Sequence, residues 1–141
     1  MDDLVERDGL FYKKFTDIPF TGEMTGKGQG KIRNGKKHGS WVWYYDNGRI
    51  SSKGTYKDGK KDGFWIRYWE NGQLSYKGIY KDGEWGRCRD GSWAHYWKNG
   101  QLRYEGTYKD GEKDGPWVGY NKDGTMWKSL TGTFKNGVKV K

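Results

Sequence analysis

The chain has 141 residues, of which Leu, Ile, Val and Phe supply only 20, and its mean hydropathy is −1.20. That excludes an aliphatic core, and no window approaches the ~18 apolar residues that a membrane span needs. Twenty-four Gly against one Ala exclude a helical protein, one Cys excludes an internal disulfide or a Cys-built zinc site, and of the net charge of +9 the last 27 residues hold +4 while the middle is nearly balanced, with no concentrated basic stripe. What remains is aromatic: nine Trp, eleven Tyr and five Phe, each able to bury roughly 150–250 Å².

The first 38 residues are irregular. Only the tail of this segment, Gly30, Gly35 and Gly39, has the glycine spacing of 5 and 4 that governs the rest of the chain. It is expected to be a cap containing a partial first repeat. From Gly39 the glycines recur with spacings of 9, 6, 5 and 4, a period of 24, through Gly48, Gly54, Gly59 and Gly63. The same series runs through Gly91, Gly100, Gly106, Gly111 and Gly115. Four copies result: 39–62, 63–90, 91–114 and 115–141. The second copy carries an insertion at 84–90, and the last has two extra residues between Gly124 and Gly132.

Thirteen of the glycines follow Asn or Asp. Such pairs accept positive φ at both central positions of a type I′ turn, the commonest tight hairpin. The segments between them have strand length and alternate apolar with polar residues. Each copy therefore reads as strand, Asn-Gly turn, strand, Asp-Gly turn. Aligned copies give columns: Trp41, Trp65, Trp93, Trp117; Tyr44, Tyr68, Tyr96, Tyr120; Gly54, Gly78, Gly106; and Tyr56, Tyr80, Tyr108. A glycine beside large side chains leaves bare backbone on which a ring from the neighbouring hairpin can lie. No single hairpin is stable in water, but four or five stacked ones can be.

The glycine spacing, the Trp-x-x-Tyr strand, and the segments NGQLSYKGIYKDG (Asn71–Gly83) and NGQLRYEGTYKDG (Asn99–Gly111) resemble the MORN-repeat family. The similarity is greatest to its bacterial variant, the YwqK-type antitoxins. The resemblance implies an all-β fold: an elongated, twisted, antiparallel single-sheet ribbon of successive β-hairpins. It also implies partner binding, with toxin neutralisation as the role attached to the bacterial variant. Eukaryotic relatives are linked to membranes, phospholipids and dimerisation.

The residues suggest no enzyme. His38 and His95 are far apart, no catalytic triad or HExxH motif is present, and most carboxylates sit in Asp-Gly turns, where they have a backbone role. Calcium loops need several carboxylates spaced by two, and here each turn has one or two beside a Lys. No metal or cofactor is expected. The candidate binding residues occupy columns that vary between copies yet stay bulky: Trp43, Tyr45, Arg67, Trp69, Tyr76, Trp97, Arg103 and Tyr104. Trp, Tyr and Arg dominate protein interfaces, so these residues are read as an aromatic groove with Arg at its margin. The competing structural reading is that Trp69 and Trp97 only cover the second face of a thin sheet. The insertion supplies a second candidate, Trp85 with Arg87 and Arg89, because loops tolerate insertion and carry function.

The function expected is thus a non-enzymatic scaffold for a protein partner, with a toxin as one candidate partner. The alternatives are peripheral binding to anionic lipid or nucleic acid, and self-assembly into a homo-oligomer through free strand edges. Met1-Asp2-Asp3-Leu4 has neither the basic nor the apolar part of a signal peptide. The cytosol is the default compartment, and export or a periplasmic location is the alternative where a leader has been removed.

Overall fold

A computed structural model describes residues 4–14, 16, 18–81 and 89–141, with the side chain of Arg89 outside the description. Thirteen strands follow one another: β1 (Leu4–Arg7), β2 (Leu10–Lys13), β3 (Gly22–Met24), β4 (Gly28–Arg33), β5 (Lys36–Tyr44), β6 (Ile50–Lys57), β7 (Lys60–Tyr68), β8 (Leu74–Tyr80), β9 (Arg89–Tyr96), β10 (Leu102–Lys109), β11 (Glu112–Gly119), β12 (Gly132–Lys135) and β13 (Val138–Lys139). Strands β3 to β13 form one 11-stranded antiparallel sheet in chain order. At about 4.8 Å between strands, the sheet reaches about 50 Å across, against about 27 Å along an eight-residue strand. The fold is the elongated ribbon of hairpins that the repeat implies.

The two kinds of turn differ, and they lie on opposite edges of the sheet. At Asp58-Gly59 the φ angles are 50° and 83°, and at Asp110-Gly111 they are 52° and 81°, as a type I′ turn requires. Asn34-Gly35 and Asn136-Gly137 have the same angles, whereas the Asn-Gly turns within the repeats depart from expectation. Gly48, Gly72 and Gly100 have positive φ, but their Asn neighbours do not. These loops close over one more residue: the Gly48 amide donates to the Tyr45 carbonyl at 3.0 Å, and the Asn47 side-chain carbonyl accepts from the Arg49 amide at 2.9 Å. The Asn side chain stands in for a backbone acceptor, so its own φ stays negative.

A second device repeats wherever a strand meets the next Trp strand, in the pairs β4–β5, β6–β7, β8–β9 and β10–β11. Across the β6–β7 pair, Gly54 faces Trp65 and Tyr56 faces Lys61, so β7 carries two extra residues around Gly63, whose φ is +82°. This bulge lies opposite Thr55, whose carbonyl accepts the Trp65 indole N–H at 2.9 Å. The same bond runs from Trp41 to Lys31, from Trp93 to Ile79 and from Trp117 to Thr107. The bulge thus lets one Trp satisfy its only polar atom while it is buried.

The core is one row of side chains. Gly30, Trp41, Gly54 and Trp65 lie directly opposite one another in successive strands, as do Gly106 and Trp117. A Cβ on Gly30, Gly54, Gly78 or Gly106 would strike the indole of the next Trp. Tyr rings join the Trp column edge-on: Trp41–Tyr56–Trp65–Tyr80–Trp93–Tyr108–Trp117–Phe134, with centroids 5.0 to 6.5 Å apart. Trp41, Trp65 and Trp93 are 0–1 % exposed, although only one sheet backs them. At one end Phe11 closes the column, packed with Ile32 and Trp41. Its amide donates to the Gly35 carbonyl at 2.7 Å. At the other end Leu130, from the segment lengthened by two residues, covers Gly119 and packs on Trp117 and Phe134.

Candidate binding surfaces

The varied columns separate into two groups. Trp43, Arg67, Tyr76 and Tyr104 fall in one row across the sheet, in the order Trp43, Ser52, Arg67, Tyr76, His95, Tyr104. This row flanks the Trp column on the same face. Trp43 stacks on Trp41 at 5.5 Å, and Tyr76 lies 5.7 Å from Trp93. His95 stands between Tyr76 and Tyr104, 5.3 and 4.4 Å from their centroids. The histidine is half-buried inside a ring stack.

Tyr45, Trp69 and Trp97 form the second group, beside the Asn-Gly turns. Each donates to a backbone carbonyl of the next repeat: Tyr45 Oη to Tyr68 at 2.7 Å, Trp69 Nε1 to Tyr96 at 3.3 Å, and Trp97 Nε1 to Tyr120 at 3.1 Å. Asn47 and Asn71 do the same from their Nδ2 atoms, to Glu70 and Lys98. Arg103 sits 4.6 Å above the Trp97 ring. This edge ties repeat to repeat. The sequence-predicted Trp85 and Arg87 lie outside the described residues, as does the side chain of Arg89, whose backbone opens β9.

Lysines cover the Tyr side of the column. Lys37 Nζ lies 5.1 to 5.8 Å from the rings of Phe11, Trp41, Trp43 and Tyr56. Lys61 lies over Trp65 and Tyr80, and Lys113 over Trp117 and Phe134. Burial among the rings lowers the pKa of Lys37 and of Lys113, and raises that of Tyr56.

The opposite face holds a groove that column reading misses. It has a volume of about 510 Å³ and is lined by Phe64, Ile79, Ala94, Pro116 and Val118, with Lys77 and Glu105 among them. Phe64 and Ile79 are direct cross-strand partners, 55 % and 39 % exposed. The signal in the sequence is a local departure. Phe64 stands in a column of Ser40, Ser92 and Pro116, and Ile79 in one of Thr55 and Thr107. Among the described residues, no group of three His, Cys, Asp or Glu is placed to hold a metal ion.

Hairpins β5–β6, β7–β8 and β9–β10 are the units on which comparison with known proteins bears. The family model of the MORN repeat variant matches residues 37–58, 61–82 and 89–110. The chain is similar to MORN repeats over these three segments. Each matched segment takes in one Trp strand, its Asn-Gly turn and the following Gly-Tyr strand. No curated protein matches the chain.

Proposed function

We propose that this chain of MORN-type repeats is a non-enzymatic scaffold that holds a protein partner in the groove on the face opposite the rings. The observation that carries this is the Phe64–Ile79 pair. Two large apolar side chains stand exposed as direct cross-strand partners in the middle of the sheet. Both lie where the other repeats have small side chains. Exposed apolar surface of this kind marks interaction sites. Lys53, Ile66, Lys77, Ala94, Glu105 and Val118 follow one another along one row of this face. The row suits an extended segment with apolar side chains and an acidic residue opposite Lys77. The resemblance to YwqK-type antitoxins makes a toxin the first partner to try.

A photo-crosslinking residue at position 64 tests the proposal directly. Cross-linking to one protein, abolished by Ile79→Glu and retained by Arg67→Gln, is the expected result. The second reading, attachment to an anionic lipid or nucleic-acid surface, is favoured by the +9 charge. It predicts binding to anionic vesicles or DNA that collapses between low and moderate salt, because neutralising phosphates releases counterions. Salt-sensitive binding that Ile79→Glu leaves unchanged would replace the first reading with this one.

A further inference from the structure

The ring layer has one gap. Trp41 carries a nearly parallel ring beside it, that of Trp43 at 27°. Trp93 carries those of Tyr76 at 31° and His95 at 22°, and Trp117 carries that of Tyr104 at 32°. Trp65 has only the edge-on contacts with Tyr56 and Tyr80 among the described residues. The cause is in the sequence. Tyr76 and Tyr104 each stand one repeat position before the Trp they cover, and the matching position before Trp65 is Ser52. Across from Ser52 stands Arg67. The flanking rings do not close the space. Trp43 leans over Gly28, away from Ser52, and Tyr76 turns toward Trp93 and His95, away from Arg67.

The space left is a pocket of about 530 Å³ walled by Trp43, Ser52, Tyr56, Lys61, Arg67 and Tyr76. Its charge is one-sided. Lys27 at its rim is already paired with Asp46. Lys61 Nζ lies 4.7 Å over Trp65, and the Arg67 side chain makes no hydrogen bond or ion pair among the described residues. The other repeats show what this position accepts, namely a flat ring against the indole. The two cations add a preference for an acid group on that ring.

We infer that the Ser52 pocket binds a small planar aromatic acid, whose ring takes the stacking place that Tyr76 and Tyr104 fill elsewhere and whose carboxylate or phosphate meets Arg67 and Lys61. A ring that completes the stack gains aromatic contact, and the guanidinium gives a charge-assisted hydrogen bond. The site is separate from the apolar groove and does not depend on it.

The test is a titration of ¹⁵N-labelled protein followed at the Trp65 indole N–H and the Ser52 amide. The probes are 4-hydroxybenzoate, phenyl phosphate, the neutral 4-hydroxybenzamide and inorganic phosphate. Saturable shifts with either aromatic acid, at a Kd of about 1 mM or below, are expected. Arg67→Gln should weaken binding by about tenfold, and Ser52→Tyr, which supplies the ring, should abolish it. The inference is overturned if neither aromatic acid gives a saturable shift up to about 10 mM. It is equally overturned if the amide or inorganic phosphate binds as tightly as the acids. Should Ser52→Tyr fail to fold, Arg67→Gln decides the matter alone.

Discussion

A tryptophan on one strand and a glycine directly opposite are the smallest unit that holds this protein together. The two kinds of glycine in each repeat do different work, and substitution separates them. A Cβ on Gly54 would meet the Trp65 indole, which is pinned by its bond to Thr55. Gly63 has nothing within reach of a Cβ, but its φ is +82°. Gly63→Ala should therefore cost only the left-handed conformation, about 1–2 kcal/mol. Gly54→Ala must displace a buried ring and its hydrogen bond, and should cost about 3 kcal/mol or more. Urea midpoints of the two variants give the order directly, and a larger loss at Gly63 would contradict the packing argument. Charge gives a second expectation at this scale. Lys37 is held below its usual pKa by burial among four rings. Its folded pKa lies under the unfolded one, so between the two values the unfolded chain binds the extra proton. Stability should rise with pH across that window, which ends near 10.5, and stay flat below it. Lys113 adds a slope of the same sign, while Tyr56, raised above 10.0, opposes them once the unfolded tyrosine ionises. Lys37→Met should remove part of the rise, measured as the urea midpoint between about pH 8 and pH 10.

At the scale of the hairpin, the two edges of the sheet are built differently, and the Asn-Gly edge carries the links between repeats. Asn71 accepts from the Gln73 amide at 2.9 Å within its own turn and donates to the Lys98 carbonyl of the next repeat at 2.9 Å. Both bonds are exposed to water, so Asn71→Ala should cost about 1 kcal/mol, a fall of about 3 °C in the melting temperature. Asn71→Asp keeps the first bond and loses the second, and should fall between the two. Strand positions, the chain-order sheet and the Trp and Gly columns were legible in the sequence, because glycine spacing and period-2 alternation are local signals. The bulges were not. Gly39, Gly63, Gly91 and Gly115 mark the period, but nothing local shows that they insert two extra residues and free a carbonyl for an indole. The Asn-Gly turns within the repeats differ from type I′ for a related reason: dipeptide preference does not reveal that the Asn side chain replaces a backbone acceptor, and only Asn34-Gly35 and Asn136-Gly137 keep the expected angles. The candidate residues had the same limit. A column compares one position along the chain, whereas Ser52, Arg67 and Trp65 become one site only through cross-strand register. The Phe64–Ile79 pair likewise joins two unremarkable departures from separate columns.

Across the whole molecule, stability should follow the ring column, because each repeat touches only its neighbours. The column has unequal ends. The N-terminal cluster joins Phe11, Ile32, Trp41, Tyr56 and Trp65, whereas the C-terminal one joins Trp117, Leu130 and Phe134. Trp93 links them through Tyr80 at 5.0 Å and Tyr108 at 6.3 Å. Removing this ring should cost about 3–5 kcal/mol, a large part of the roughly 5–15 kcal/mol that holds an ordinary domain together. The other links between the halves include the β8–β9 ladder, the Tyr76–His95 contact and the edge bonds from Trp69 and Asn71, and none of them replaces a buried ring in the column. Trp93→Ala should therefore separate them, and the smaller cluster should open first. Hydrogen exchange on this variant should show amides of β10, β11 and β12 exchanging well before those of β4, β5 and β6, with two steps in denaturant where the parent shows one. Equal loss of protection at both ends, in a single step, would mean that the backbone ladder and the bonds along the Asn-Gly edge, more than the rings, make the sheet one cooperative body.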